Sequence, residues 1–124
     1  MKFGEIVKNA RIELGLTLRE CARELNVDAS NLSKVERGVN QAPLSEETLS
    51  SWADFLDITG DARTEFMDAA AASRGEFPPD IAKDENLLAV LPAFLRLSRE
   101  VPAEEIQSLL ESIRSAHTPG PQIP

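Results

Sequence analysis

Residues 16–38 read LTLRECARELNVDASNLSKVERG, and the signals in this stretch predict two short helices joined by a tight turn. Thr17 and Glu20 have the T-x-x-E spacing of a capping box, in which each side chain accepts a hydrogen bond from the backbone N–H of the other residue. A first helix is therefore expected to start at Thr17. Its inner face consists of apolar or small residues at helical spacing: Cys21, Ala22 and Leu25.

The turn and the second helix carry equally specific signals. Asn26 tolerates the left-handed backbone of a sharp turn, Val27 is expected to be buried in that turn, and Asp28 is expected to cap the second helix. Gly38 then ends this helix, whose inner side is formed by two apolar residues, Leu32 and Val35. Such a unit is a helix-turn-helix motif, which predicts DNA binding. The alternative is a plain helical hairpin, but a hairpin does not require the caps and the buried turn residue in register.

The sequence of residues 3–56 resembles the lambda-repressor-like, or Xre, family of prokaryotic regulators. The usual L-T-Q-x-x-L-A opening of that family appears as LTLRECA at residues 16–22, and its I-x-R-x-E-R-G ending appears as LSKVERG at residues 32–38. The resemblance implies an all-α fold with a five-helix DNA-binding domain. It also implies an ion pair across the domain between Arg11 and Glu36.

The resemblance further implies which side chains contact DNA. Ala29, Ser30 and Lys34 are expected to face bases, with Ala29 near a thymine methyl group and Lys34 donating to guanine. Asn31, Arg19 and Arg37 are expected to contact the phosphate backbone. The full predicted set is Thr17, Arg19, Ala29, Ser30, Asn31, Ser33, Lys34 and Arg37.

Leu18 departs from the family pattern. It stands where relatives often have a glutamine that touches phosphate or a base. That contact is therefore expected to be absent, or to be made by Arg19 or Thr17.

Length and composition predict one compact domain with an appendage. The chain has 124 residues, 42% of them hydrophobic, and a single cysteine, which excludes an internal disulfide and is consistent with a reducing cytosol. No apolar run approaches the roughly 18 residues of a membrane span, and the first ten residues lack an uninterrupted apolar signal region. We therefore expect a cytoplasmic protein.

The net charge of −8 opposes binding to nucleic acid, but the charge is unevenly distributed. Residues 1–38 contain seven Lys or Arg against six acids, a balance of +1, whereas residues 39–124 contain six against fifteen, a balance of −9. The acidic remainder of the chain would repel DNA in every pose except one led by the motif. Binding is expected to be modest in strength and sensitive to salt.

Helical signals continue on both sides of the motif. A helix that precedes the motif carries an apolar stripe from Phe3 to Leu14, so the two motif helices are the second and third of the chain. Ser45 can cap a fourth helix, and a fifth is expected over residues 61–74. Phe77-Pro78-Pro79 breaks the pattern, and a short strand near residues 77–82 is the one place where a strand is considered. The predicted organisation is a DNA-binding domain at 1–75, a linker at 76–86, a helical dimerisation or partner-binding region at 87–116 and a disordered tail at 117–124.

The two helices expected beyond the linker have apolar surfaces that cannot form a stable core alone. They must pack on the first domain, on a second copy of the chain or on another protein. If they do not form the dimer, the alternative dimer interface is on the fourth and fifth helices. The residues predicted to form the dimer are Leu91, Phe94, Leu95, Ile106, Leu109, Leu110 and Ile113.

The order of these parts resembles small Xre repressors that are partnered with a zinc peptidase. This second resemblance implies a homodimeric repressor that binds a palindromic operator. It also implies that a partner peptidase inactivates the repressor through its C-terminal region. A helical dimerisation module without regulated cleavage is an equal alternative, and some relatives of similar layout are antitoxins that neutralise a toxin. An adaptor that has lost DNA binding is a third possibility, because of Leu18 and the overall charge.

Catalysis and metal binding find no support in the sequence. His117 lies in the expected tail, Cys21 lies on a packed face, and no metalloprotease, nucleophile-elbow or phosphate-loop motif occurs. Carboxylate pairs such as Asp84-Glu85 are expected to be helix starts. We therefore predict no enzymatic activity, no cofactor and no metal site.

Overall fold

The computed structural model of the chain describes residues 1–117, and within them all regular secondary structure is helical. This confirms the expected all-α fold. The helices are α1 (Phe3–Glu13), α2 (Leu18–Leu25), α3 (Ala29–Glu36), α4 (Glu46–Phe55), α5 (Gly60–Ser73), α6 (Pro79–Ala82), α7 (Glu85–Glu100) and α8 (Ala103–His117). The chain divides into two units, Met1–Pro79 and a second that begins at Asp80.

The helices α1 to α5 share one hydrophobic core, with α3 packed against both α1 and α2. The ring of Phe3 lies at the centre of an aromatic group, 5.0 Å from the ring of Phe66 and 6.2 Å from that of Trp52. The motif contributes the inner residues that its sequence predicted: Cys21, Ala22, Leu25, Leu32 and Val35. The core therefore covers one side of α3 and leaves its other side uncovered.

Local signals place the ends of the motif helices. Thr17 and Glu20 form the predicted capping box, and Asn26 has the left-handed conformation at φ 59° that lets the chain turn between α2 and α3. Asp28 is the N-cap residue of α3, as predicted, although its carboxylate accepts no hydrogen bond from the helix. The burial of Leu32 and Val35 anchors α3 in the core.

Two expectations about the chain beyond the fifth helix are wrong. No strand forms at residues 77–82; instead Pro79 begins the short helix α6, because its fixed φ angle suits a first helical position. His117 belongs to α8 rather than to the tail, and its Nδ1 lies 2.9 Å from the carbonyl oxygen of Ile113 one turn earlier. The rest of the expected disordered tail, residues 118–124, lies outside the described residues.

The second unit leaves its apolar side chains largely uncovered. Neither α7 nor α8 contains a buried residue, although both lie wholly within the described part of the chain. Phe94 is 47% exposed, Leu109 is 56% exposed and Ile113 is 49% exposed. The predicted start of α7 is confirmed, since the Asp84 carboxylate accepts from the backbone N–H groups of Asn86 and Leu87. Among the described residues, none of the helices is long and apolar enough to cross a bilayer.

Candidate nucleic-acid interface

The outer face of α3, formed by Ser30, Asn31 and Lys34, is exposed along the whole helix. Its opposite side is anchored in the core by Leu32 at 0% exposure and Val35 at 3%. A helix held by one side in this way presents its other side as a rigid surface. In helix-turn-helix domains, the second helix of the motif inserts its outer face into the major groove.

Most of the predicted site residues lie on α3 or at its C-cap, Arg37, and the other two are the N-cap of α2, Thr17, and a residue of its first turn, Arg19. Those that are exposed are Thr17, Arg19, Ser30, Asn31, Lys34 and Arg37. Ala29 and Ser33 are half-buried, and Ala29 packs against the core. Ala29 therefore has only part of its methyl group available for a thymine.

The cationic side chains of the site are not engaged by other protein groups. Within residues 1–117, no hydrogen bond or ion pair involves the side chain of Arg19, Lys34 or Arg37. Their N–H groups therefore remain available to phosphate or base acceptors. The Oγ1 atom of Thr17 already accepts from the backbone N–H of Glu20 at 3.1 Å, so its hydroxyl can still donate but its position is set by the cap.

Leu18, the departure from the family pattern, is half-buried and packs against the core. An aliphatic side chain in that position contributes to the fold and offers no polar atom to DNA. Of the two residues expected to replace the missing contact, Arg19 has the free donors.

The predicted ion pair between Arg11 and Glu36 is present and positions the end of α3 against α1. Arg11 Nε donates to Glu36 Oε2 at 2.8 Å, its Nη2 donates to Oε1 at 3.0 Å, and its Nη1 donates to the Leu16 carbonyl at 2.9 Å. The pKa of Arg11 is raised, chiefly by the hydrogen bond to Glu36 and against the opposing effect of burial. The prediction drawn from relatives is therefore confirmed.

Cys21 lies fully buried near this pair. Burial raises the pKa of its thiol, the charge of Glu36 raises the pKa further, and the charge of Arg11 partly offsets both. The residue is accordingly an uncharged part of the core, as its place on the inner face of α2 predicted.

Asn40, in the loop between α3 and α4, is a neighbour of the site that no sequence pattern indicates. Its Nδ2 donates to Oδ1 of Asn31 on the outer face of α3 at 2.7 Å. The contact joins residues nine positions apart across an irregular loop, so no helical or strand spacing indicates it. Only the folded path of the loop brings the two amides together.

Residues 1–117 contain no group of three or more His, Cys, Asp or Glu side chains arranged to hold a metal ion.

Comparison with known proteins agrees with this geometry. Residues 7–62 match the family model described as Helix-turn-helix, which covers α2, α3 and α4 completely. No curated protein matches the chain. Residues 7–62 therefore form a helix-turn-helix domain of the kind that the resemblance to the Xre, or lambda-repressor-like, regulators implies.

Proposed function

We propose that this DNA-binding regulator is a homodimeric repressor that binds a palindromic operator through α3. The observation that carries the proposal is the outer face of α3, where Ser30, Asn31 and Lys34 are exposed on a helix whose other side is fixed in the core. The family whose model residues 7–62 match consists of DNA-binding transcriptional regulators.

The exposed residues divide into two roles. Ser30 and Lys34 face bases, and Lys34 donates to the O6 and N7 atoms of a guanine. Arg19, Asn31 and Arg37 contact phosphates on either side of the groove and set the register of the domain. Ala29 contributes at most a small apolar contact, because it is half-buried.

Charge restricts how the chain approaches DNA. The +1 balance of residues 1–38 and the −9 balance of residues 39–124 leave the motif as the region least repelled by phosphate. Since few cations contact the backbone, affinity should fall with salt by about 0.9 logarithmic units per phosphate contact for each tenfold rise in concentration. The two cations assigned to phosphates, Arg19 and Arg37, give a slope of about −1.8 for each half-site, so binding is expected to be sensitive to salt.

Exposed apolar side chains on α7 and α8 support the homodimer. One helix-turn-helix domain contacts a single half-site, and tight binding to an operator requires two domains held together. The predicted interface residues Leu91 and Ile106 are half-buried and the rest are exposed, so this surface has apolar area available for a second copy. Each aliphatic side chain that becomes fully buried contributes about 1.5–3 kcal/mol before the cost of association.

Repression ends, on this proposal, when the C-terminal helices are separated from the DNA-binding domain. A cut by a partner peptidase within residues 94–99 would divide α7 and remove most of the apolar surface from the domain. The released domain would then bind each half-site alone and weakly.

Selection from random DNA, followed by a reporter assay, tests the proposal. The full-length chain should enrich an inverted repeat, and a promoter that overlaps this repeat should be silenced when the chain is expressed. Lys34→Ala should weaken binding by about 1–3 kcal/mol and relax the preference at one base pair of each half-site. No enriched sequence would refute operator binding, and activation of the reporter would refute repression.

A further inference from the structure

We propose that Asn40 is a positioning residue for DNA binding: it holds the amide of Asn31 in the orientation that donates to a DNA phosphate. The inference rests on the proposed function, because it assumes that the outer face of α3 contacts DNA. It assigns a role to a residue outside the motif helices.

The path of the chain after α3 brings Asn40 back to the outer face. The backbone N–H groups of Val39 and Asn40 both donate to the carbonyl oxygen of Lys34, at 2.8 Å and 3.2 Å. Gly38 permits this reversal through its φ of +78°. The Asn40 side chain then reaches across one turn of α3 and donates from Nδ2 to Oδ1 of Asn31 at 2.7 Å.

The far end of the same loop is also anchored. The backbone N–H of Ala42 donates to Ser73 Oγ at 3.0 Å, and Arg74 Nη1 donates to the Pro43 carbonyl at 2.7 Å. Because the loop is fixed at both ends, the position of Asn40 is set by the fold of the domain. A side chain placed in this way can orient a neighbour.

The chemistry of an amide gives this orientation its consequence. An asparagine has one acceptor oxygen and two N–H donors, and the terminal torsion of its side chain has two nearly equivalent positions related by a flip. The bond from Asn40 occupies the Oδ1 atom of Asn31, so the N–H donors of Asn31 are left for another acceptor. A phosphate offers only acceptors, and it can therefore bind Asn31 in this orientation but not in the flipped one.

The side chains of Asn31 and Asn40 are both exposed, so the loss of their hydrogen bond should affect DNA binding more than it affects the stability of the fold. An exposed hydrogen bond between neutral groups contributes little to stability, because water replaces it in the unfolded chain. Its contribution to binding is larger, since a side chain that is oriented beforehand loses less entropy when DNA binds.

The experiment measures the affinity of the full-length chain for its selected operator in four forms: wild type, Asn40→Ala, Asn31→Ala and the double variant. Asn40→Ala should bind each half-site about twofold to tenfold more weakly, the range for one hydrogen bond. The double variant should bind no more weakly than Asn31→Ala alone, because Asn40 acts through Asn31. The unfolding midpoint of Asn40→Ala should equal that of the wild type, and Asn9→Ala should bind normally as an exposed amide on α1.

A second pair of variants tests the orientation itself. In Asn40→Asp the carboxylate can only accept, so it pairs with the N–H donors of Asn31 and turns the oxygen of Asn31 toward DNA. Gln41→Glu adds the same charge at the next exposed position and leaves the Asn31–Asn40 pair intact. Asn40→Asp should therefore bind more weakly than Gln41→Glu, and the side-chain amide resonances of Asn31 should change only in Asn40→Asp.

Several results would overturn the inference. Additive losses in the double variant would mean that Asn40 contacts DNA itself, and a lower unfolding midpoint that accounts for the whole loss would mean a structural role. Equal affinity of Asn40→Ala and wild type, or of Asn40→Asp and Gln41→Glu, would show that Asn40 does not orient Asn31 for DNA binding. If the wild type selects no DNA sequence, the proposed function fails before any variant is measured.

Discussion

The bond between Arg11 and Glu36 ties the end of α3 to α1, and its side chains are only 12% and 5% exposed. Two parallel hydrogen bonds satisfy the carboxylate, and the third N–H direction of Arg11 is used by the Leu16 carbonyl. A buried charge without its partner is costly, so removing one member of the pair should lower the unfolding free energy mainly by leaving the other charge buried and unpaired.

Replacing one partner should therefore destabilise the domain more than replacing both. Arg11→Met or Glu36→Gln alone should cost about 3–5 kcal/mol of unfolding free energy, and the double variant should cost less than the sum. The exposed pair Arg63–Asp54 is the matched control, since its 2.7 Å contact is with a carboxylate that is 72% exposed and should contribute at most about 1 kcal/mol. Additive losses at Arg11 and Glu36 in chemical denaturation would contradict the coupling.

The buried thiol of Cys21 predicts a loss of stability at alkaline pH. Its pKa in the folded domain is raised above the ordinary value of 9.0, chiefly by burial, whereas the unfolded chain has the ordinary value. The stabilising contribution is fully present below pH 9 and is lost as the pH rises through the folded pKa, because only the unfolded chain ionises in that window.

The unfolding free energy of the wild type should fall above about pH 9 more steeply than that of Cys21→Ala, by up to about 1.4 kcal/mol per pH unit. Denaturation curves of the two proteins from pH 7 to 10.5 make the comparison. Parallel curves would show that the thiol ionises equally in both states.

Single residues differ in how far the sequence indicates their roles. The capping box and the left-handed Asn26 depend on neighbours within four positions, so a local pattern predicts them. Asn40 contacts Asn31 across an irregular loop, which has no regular residue spacing, so no local pattern indicates this contact.

At the scale of helices, the crossing of α1 and α3 depends on Gly4. A Cβ atom on this residue would overlap the backbone of α3, lying 2.6 Å from the Glu36 carbonyl oxygen and meeting the Val35 carbonyl oxygen as well. The obstructing atoms belong to backbone and cannot move aside as a side chain could. The close approach of the two helices therefore requires a residue without a side chain.

Gly4→Ala should separate the two helices and destabilise the domain by about 1–3 kcal/mol, despite the higher helix propensity of alanine. Glu5→Ala, an exposed substitution on the same helix, should stay within about 0.5 kcal/mol of wild type. Because the crossing also places the end of α3, the affinity of Gly4→Ala for DNA should fall with its stability. An unchanged unfolding midpoint would show that the helices meet differently.

The sequence predicts the helices that pack in the core better than it predicts the others. Apolar periodicity and end signals indicate α1 to α5 because each helix buries the stripe that its sequence displays. The short helix α6 has no such stripe and buries no residue, and the sequence Pro78-Pro79 at its start indicates only a break. The proline content of the tail predicts that α8 ends before His117, but the first of those prolines is Pro119.

At the scale of the whole molecule, the proposed dimer through the exposed apolar residues of α7 and α8 would make association the step that sets DNA affinity. Leu109→Asp should convert the dimer to a folded monomer that binds a palindromic operator far more weakly and without cooperativity between half-sites. Gln107→Asp, which adds the same charge at another exposed position of α8, should remain a dimer. Sedimentation equilibrium measures both, and a stable dimer of Leu109→Asp, or of a chain truncated after Gly75, would move the interface to α4 and α5.

Hydroxyl-radical footprinting of the 124-residue chain on its selected DNA tests whether two copies of α3 contact a symmetric operator. We expect two protected patches related by symmetry, with their centres about 10–10.5 base pairs, roughly 34 Å, apart on one face of the duplex. Both patches should weaken together in Lys34→Ala. Protection of a single patch, or equal protection of unrelated DNA, would show that the chain does not bind an operator as a symmetric pair.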